Sequence, residues 1–374
     1  MSTGLTEVPF LDVGASYREI EGEIDEAVRR VLASGRYVLG SEVEAFEHDY
    51  AAFVGAPECI SVANGLDALT LALVALDVGP GDEVIVPANT YIATWLAVTR
   101  SGASIVPVEP DEATYNVTAD AVEAAITNRT KVIMPVHLYG QPVDLAPIRA
   151  LAGKHGLRIV EDAAQAHGAR YRGARIGSDA DVVAWSFYPG KNLGAVGDGG
   201  AVTTGDAALA DRLRSLRNYG STLKYVNEEV GFNSRLDPIQ AAVLGVKLRY
   251  LDEWNRRRGE IADRYQTELE AAPVRLPHVL ADVLPAWHLF VVRTAYRDNL
   301  AEHLSRCGIG TMVHYPIPPH LQQAYAHLGF EEGSFPITEA VHREVLSLPI
   351  GPHLSAQQHA QVIDAVGEWA PAHH

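Results

Sequence analysis

The stretch "FYPGKNLGAVGDGG", Phe187 to Gly200, sets Lys191 in a glycine-rich turn just after the apolar run Val182 to Ser186. Such a lysine can grip phosphate, act as a covalent amine or be a surface cation. A nucleotide-binding P-loop would need Ser or Thr after the lysine and another glycine five residues before Gly190, where this chain has Asn192 and Trp185. "GAVGDGG" also lacks the register of a dinucleotide fingerprint, and it precedes a strand where that fingerprint must follow one. A surface cation is the commonest fate of a lysine. Against it stands position: Lys191 follows an apolar strand end, where open α/β sheets gather active-site residues, and the small residues beside it let a ligand approach the backbone. A lysine stripped of hydration there has a lowered pKa and can attack a carbonyl. Schiff-base chemistry is the reading it opens.

Three further stretches fall at strand ends. In "RIVEDAAQAHGA" a strand runs into Glu161-Asp162, with Gln165 and His167 close behind. A buried carboxylate at Asp162 needs a cationic partner, and the protonated ring nitrogen of pyridoxal phosphate is one; a plain helix cap is the alternative. In "SVANGLDALTLAL" a strand ends at Asn64-Gly65 and a helix begins at once. The free amides of Gly65, Leu66 and Asp67 then make a phosphate site, with the Asp67 carboxylate turned away, unless this is an ordinary helix start. Ser186 offers a hydroxyl to the same phosphate. Tyr91, in "NTYIAT", can stack on a planar cofactor or simply pack in the core.

The elements that must hold these residues alternate between Cys59 and Thr204. Strands are expected at Cys59–Val62, Glu83–Pro87, Ser104–Val108, Val132–Val136, Arg158–Glu161, Val182–Phe187 and Gly200–Thr203, with helices between them. That is the rhythm of an α/β unit whose sheet is covered on both faces. Before it, Ile20, Ile24, Val28, Val31 and Leu32 recur at helical spacing in a helix closed by Gly35. After it, an arginine-rich helical pattern runs from Pro238 to Gln266 and leads into a smaller α+β unit, with strands at Trp287–Arg293 and Thr311–His314 and a helix at Ala356–Glu368. The domains expected are 1–247 and 248–374, within the 374 residues of the chain.

Composition narrows the partners. With 47% hydrophobic and 21% charged residues the chain has ample core material, and its net charge of −17 disfavours nucleic acid and anionic membrane surfaces. No apolar run is long enough for a membrane span, and Met1 to Phe10 lacks a basic segment followed by an apolar one. Cys59 and Cys307 are too few and too distant for a disulfide framework, so a reduced, cytoplasmic setting is expected. The residues call for no metal. His373-His374 read as the remnant of a tag.

Taken together, "NGLDAL", "TYIAT", "PVHLYGQPVDL", "IVEDAAQAHGA", "SFYPGKNLGAVGDGG", "RNYGS", "GFNSRLDPIQAA" and "HYPIPPHLQQAY" span nearly the whole chain. In this order they resemble the DegT-type pyridoxal phosphate-dependent nucleotide-sugar aminotransferases. The resemblance implies the type I fold of pyridoxal phosphate-dependent transferases: a mainly parallel seven-stranded sheet flanked by helices, plus a smaller C-terminal domain. It implies that Lys191 carries the cofactor as a Schiff base and Asp162 pairs with the pyridinium nitrogen. Gln165 then meets the phenolic oxygen, Tyr91 covers the ring, and Ser186 with the amides of Gly65, Leu66 and Asp67 holds the phosphate. Asn233 is expected to reach that phosphate from a partner subunit, which makes a homodimer the implied assembly. Tyr188, Tyr219, His314, Tyr315 and His320 are the expected sugar and pyrophosphate contacts.

A related group with histidine in place of the lysine dehydrates sugars, and Lys191 favours transamination instead. The "GLDAL" turn, where many members carry Ser or Thr, resembles the branch acting on dTDP-3-keto-6-deoxyhexoses. The implied reaction moves an amino group from an amino acid, L-glutamate first, to C3 of such a sugar, with pyridoxamine phosphate as the alternate cofactor form, in the making of antibiotic and glycan amino sugars. Amination at C4 of a 4-keto-sugar and sugar dehydration are the alternatives. A phosphotransferase lacks its loop here, and a regulator without catalysis lacks room for a binding module.

Overall fold

The structure, a computed structural model, describes residues 7–178 and 180–371; His373-His374 lie outside them. Helices α1 (Ala15–Glu19), α2 (Glu21–Ser34) and α3 (Ser41–Val54) lead into β1 (Glu58–Val62). Then come α4 (Gly65–Ala75), β2 (Glu83–Pro87), α5 (Ile92–Ser101), β3 (Ser104–Val108), α6 (Ala119–Ala125), β4 (Thr130–Ile133), α7 (Leu145–His155) and β5 (Arg158–Asp162). Two short strands, β6 (Arg170–Tyr171) and β7 (Ala174–Arg175), precede β8 (Val182–Ser186), β9 (Gly200–Thr204), α8 (Ala207–Leu216), α9 (Pro238–Leu248) and α10 (Leu251–Glu268). The chain ends through β10 (Val283–Leu284), β11 (Phe290–Arg293), α11 (Arg297–Arg306), α12 (Pro336–Glu344), β12 (Val345–Leu348) and α13 (Ala356–Glu368).

The main sheet has seven strands in the order β1-β9-β8-β5-β4-β2-β3. Only β9 runs against its neighbours, so the carboxyl ends of the other six open on one edge. Side chains alternate across the sheet as a period of two requires. Val160, Val182, Ala184 and Val202 face α4, α5 and α8, while Ile159, Val183, Trp185 and Ala201 face α3 and α7. This parity decides the site. Asp162 shares its face with Val160, and Glu161 shares the other with Ile159.

The C-terminal part has its own core, in which Phe290, Val292, Leu346 and Leu348 of the β11–β12 pair meet Ile261 and Tyr265 of α10 and Val362 and Val366 of α13. Val8 joins it from the N-terminal segment, which is bonded through Val8 N–H to Gly308 C=O and from Gly310 N–H to Val8 C=O. No helix of the described residues is long and apolar enough to cross a membrane.

Several expectations are corrected. The helical pattern from Pro238 to Gln266 is two helices, turned at Arg249-Tyr250. The turn lets α9 pack on α2 and α3 while α10 delivers Ile261 and Tyr265 to the other core. The strand expected at Thr311–His314 is a single bridge between Met312 and Ser347, and β11 pairs with β12. The first expected helix is broken at Ile20 and ends, as expected, on Gly35, whose φ of +66° suits glycine.

Candidate active site

Beyond β8 the chain folds into a tight turn, closed by Lys191 N–H donating to Tyr188 C=O at 2.8 Å and Ala195 N–H to Phe187 C=O at 2.8 Å. A Cβ at Gly194 would lie 2.3 Å from the Pro189 carbonyl oxygen, so the turn requires glycine there. The turn is clamped from behind. Asn192 donates to Ala286 C=O at 2.6 Å and to Asn255 Oδ1 at 2.9 Å, and buried Lys247 donates to Gly194 C=O at 2.7 Å. The Lys191 amine makes no hydrogen bond among the described residues. Loss of hydration pushes its pKa down to about 8, against the opposing pull of Asp162.

Asp162 ends β5 on the same edge and is buried. Burial pushes its carboxyl above the ordinary range; the Ala164 N–H, the Thr94 hydroxyl and the Lys191 charge oppose that. The Ala164 N–H donates to Oδ1 at 3.1 Å and the Thr94 hydroxyl to Oδ2 at 2.9 Å. On the other face Glu161 is held by Arg149 at 3.2 Å and by His137. His137 Nδ1 accepts the Val143 N–H, so its Nε2 carries the proton and donates to Glu161 at 3.0 Å. Two adjacent carboxylates thus have different work: Glu161 is structural, and Asp162 faces the amine.

The junction of β1 and α4 forms a cradle. A Cβ on Gly65 would lie 2.6 Å from Ser186 Cβ, and one on Gly200 would lie 2.4 Å from the Asn64 carbonyl, so glycines bring three strand ends together. Asn64 caps α4 by accepting the Asp67 N–H at 2.9 Å. The Asp67 amide is therefore already committed, which leaves those of Gly65 and Leu66 at the helix end. The Asp67 carboxylate is turned away as expected, toward Arg100 at 3.1 Å and Ser234 at 2.8 Å.

Gln165 is oriented by the Tyr139 N–H, which donates to its Oε1 at 2.6 Å; its amide group then donates to the Tyr315 hydroxyl at 3.1 Å. The Tyr315 ring lies 5.0 Å from that of Tyr91, so the two form a single aromatic cover. His314 accepts or donates at Nδ1 to Ser347 Oγ at 2.8 Å. Burial, reinforced by the Lys191 charge, lowers the pKa of His167 to about 3 and of His314 to about 4, and that of His288 well below its usual value. These rings are neutral neighbours of the amine.

The remaining expected residues lie farther out. Tyr188 and Tyr219 are exposed rim residues, with Arg235 placed 5.3 Å over the Tyr219 ring. Asn233 is exposed and bridges Asn218. His320 is brought elsewhere: it is 1% exposed and bonds Glu339 at 3.1 Å, which also takes the amides of Gly333 and Phe335. Its expected sugar contact is replaced by a buried structural pair. Thr94, His137 and His288 were not singled out from the sequence, although the stretches "TYIAT" and "PVHLYG" contain the first two.

An amine with no hydrogen-bond partner among the described residues, a buried carboxyl that a cation would compensate and a glycine-lined cradle at a helix N-terminus fit pyridoxal phosphate. The model of the DegT/DnrJ/EryC1/StrS aminotransferase family matches residues 18–367. The chain is 57% identical over 364 residues, 97% of its length and 96% of the relative's, to the dTDP-3-amino-3,4,6-trideoxy-alpha-D-glucose transaminase of Streptomyces venezuelae. Its structure resembles that of S. venezuelae DesV in complex with a ketimine intermediate, with a TM-score of 0.97 and 56% identity over 98% of this chain and 100% of that one. It also resembles Bacillus subtilis NtdA with bound cofactor PMP, at a TM-score of 0.88 and 32% identity over 98% and 85% of the two chains.

Proposed function

Because the chain belongs to the DegT/DnrJ/EryC1/StrS aminotransferase family, we propose that it moves an amino group from L-glutamate to C3 of a dTDP-linked 3-keto-6-deoxyhexose. It is a pyridoxal phosphate-dependent aminotransferase. The observation that carries the reading is the Lys191 amine, held at a pKa of about 8 beside Asp162. When bound, pyridoxal phosphate supplies a carbonyl that takes up and returns the amino group, and a ring that holds the electrons of a broken C–H bond.

The chain's own residues do the rest. Lys191 Nζ would hold the cofactor through its carbonyl carbon and, as a free amine, would be the base that takes a proton from the donor's α-carbon. A pKa near 8 leaves a useful share of free base at neutral pH, which an ordinary lysine does not have. As a carboxylate, Asp162 would pair with a protonated ring nitrogen, the cation that offsets the burial which otherwise raises its pKa. The Gly65 and Leu66 amides with Ser186 Oγ would bind the phosphate, Gln165 would meet the phenolic oxygen, and Tyr91 with Tyr315 would cover the ring. Tyr188, Tyr219 and His314 meet the sugar and pyrophosphate.

The assembly we propose is a homodimer in which Asn233 reaches the partner's phosphate. Its support is the exposed apolar run beside Asn233, where Tyr225 is 88% and Val230 92% exposed, more than a monomer ordinarily leaves to water. The two domains we propose remain 1–247 and 248–374, a boundary supported by the nearby break between α9 and α10. The free thiols of Cys59 and Cys307 favour a cytoplasmic setting, and antibiotic or glycan amino sugars are the destination of the product.

The absorption spectrum tests this reading. The visible band of the holoenzyme should convert to that of the pyridoxamine form with L-glutamate and return with the dTDP-3-keto-sugar. A band restored only by a 4-keto-sugar moves the amination to C4, and a dehydrated product removes transamination altogether.

A further inference from the structure

Thr94 stands in the first turn of α5, 0% exposed, and spends its hydroxyl in an unusual way. A threonine in a helix commonly returns its proton to the carbonyl four residues back. Thr70 does so to Leu66 at 2.8 Å, and Thr99 to Trp95 at 3.1 Å. Thr94 donates instead to Asp162 Oδ2 at 2.9 Å, across 68 residues of sequence. Its oxygen lies 2.8 Å from that of Thr90, itself 1% exposed.

One hydroxyl has one proton, which fixes the direction of the chain. An ionised carboxylate only accepts, so the Thr94 proton lies toward Asp162 and the bond between the two hydroxyls must be donated by Thr90. Both hydroxyls therefore point their positive ends toward Asp162, and successive bonds of this kind strengthen each other in a dry interior. The arrangement would be reversed, and lose its purpose, if Asp162 were protonated.

We propose that Thr94, backed by Thr90, is a positioning residue that keeps Asp162 ionised and aimed at the ring nitrogen of the cofactor. The proposal rests on the pyridoxal phosphate reading and adds the element of α5 that makes the buried carboxylate work. Ala164 N–H supplies the other donor, but it belongs to the backbone and no side-chain change removes it. Thr94 is thus the adjustable half of the pair of bonds that oppose the burial of Asp162.

The test compares two probes on the apo-protein: pyridoxal phosphate and 1-deazapyridoxal phosphate, in which a C–H replaces the ring nitrogen. Equilibrium titration should show the wild type preferring pyridoxal phosphate. Thr94→Val should narrow that preference about tenfold, the value of one charge-assisted hydrogen bond. Thr90→Val should narrow it by roughly threefold, as a bond one step removed, and Thr94→Ser should restore it. If Thr94→Val weakens both probes in parallel, leaving their ratio unchanged, Thr94 only packs and the proposal is overturned. If the wild type binds neither probe, the cofactor reading falls and takes the proposal with it.

Discussion

Asp162, at the floor of the site, is 5% exposed and both its carboxylate oxygens are spoken for, whereas Tyr188, at the rim, is 59% exposed and its hydroxyl makes no hydrogen bond among the described residues. The floor is assembled from strand ends and the first turns of helices, and each group there is fixed by at least one other element. Asn255 and Lys247 clamp the Lys191 turn from α10 and α9, and Gly65 and Gly200 admit the approach of three strands. The rim sits on turns and on the 219–232 segment, with apolar side chains facing water. The contrast separates two jobs. The floor holds what both halves of a transamination need, and the rim holds what only one substrate meets.

The strongest way to break that division is Lys191→Ala. If the floor serves both half-reactions, single-turnover rates with L-glutamate and with the keto-sugar should each fall by at least about a thousandfold, the scale of a lost proton-transfer group added to a lost covalent attachment. A variant that kept either half-reaction near the wild-type rate would show that some other group moves the proton there.

A second test asks whether the floor carries the cost of buried charge. Burial lowers the pKa of both Lys191 and Lys247 from 10.5 to about 8. Between pH 8 and 10.5 the unfolded chain therefore binds more protons at these two groups than the folded one, and stability from them rises with pH, at most about 1.4 kcal/mol per pH unit for each. Below pH 8 their burial as ammonium ions counts against the fold. Cys59, whose thiol burial pushes well up, works in the opposite direction above pH 9, so the useful quantity is a difference. In the apo-protein, the melting temperature of Lys247→Met should exceed that of wild type most at pH 7.5, and the gap should close toward pH 9.5. A gap that stays constant would mean that Lys247 is solvated, and the clamp on Gly194 is then looser than its 2.7 Å bond implies.

The same division explains what could be read from sequence. Strand ends announce themselves through apolar runs followed by Gly, Asn or Asp, so the edge carrying Gly65, Asp162, Ser186 and Lys191 was legible, and the strands at Glu83–Pro87 and Ser104–Val108 are found where expected. Thr94 was not legible, because a threonine in "TYIAT" looks like any helical residue and its partner lies at the end of a strand 68 residues away. His320 misled for the same reason: nothing in "HYPIPPH" reveals that Glu339 waits 19 residues later to take its ring. The break between α9 and α10 has no proline or glycine to mark it and follows from two cores pulling one helical pattern in two directions. Rim exposure depends on what covers it, which local pattern does not encode.

The smallest expected effect belongs to the rim. Tyr188 follows Ser186 closely and its hydroxyl makes no hydrogen bond among the described residues, so Tyr188→Phe removes one donor and leaves the ring, the Lys191 turn and the floor in place. A neutral hydrogen bond is worth about 0.5 to 1.5 kcal/mol, which is roughly a three- to tenfold rise in KM for the nucleotide sugar. The glutamate half-reaction should stay at the wild-type rate and the cofactor band should be unmoved. Equal losses in both half-reactions would place Tyr188 with the floor instead, and the boundary between shared chemistry and substrate choice would then have to be drawn outside it, at Tyr219 and the 219–232 segment.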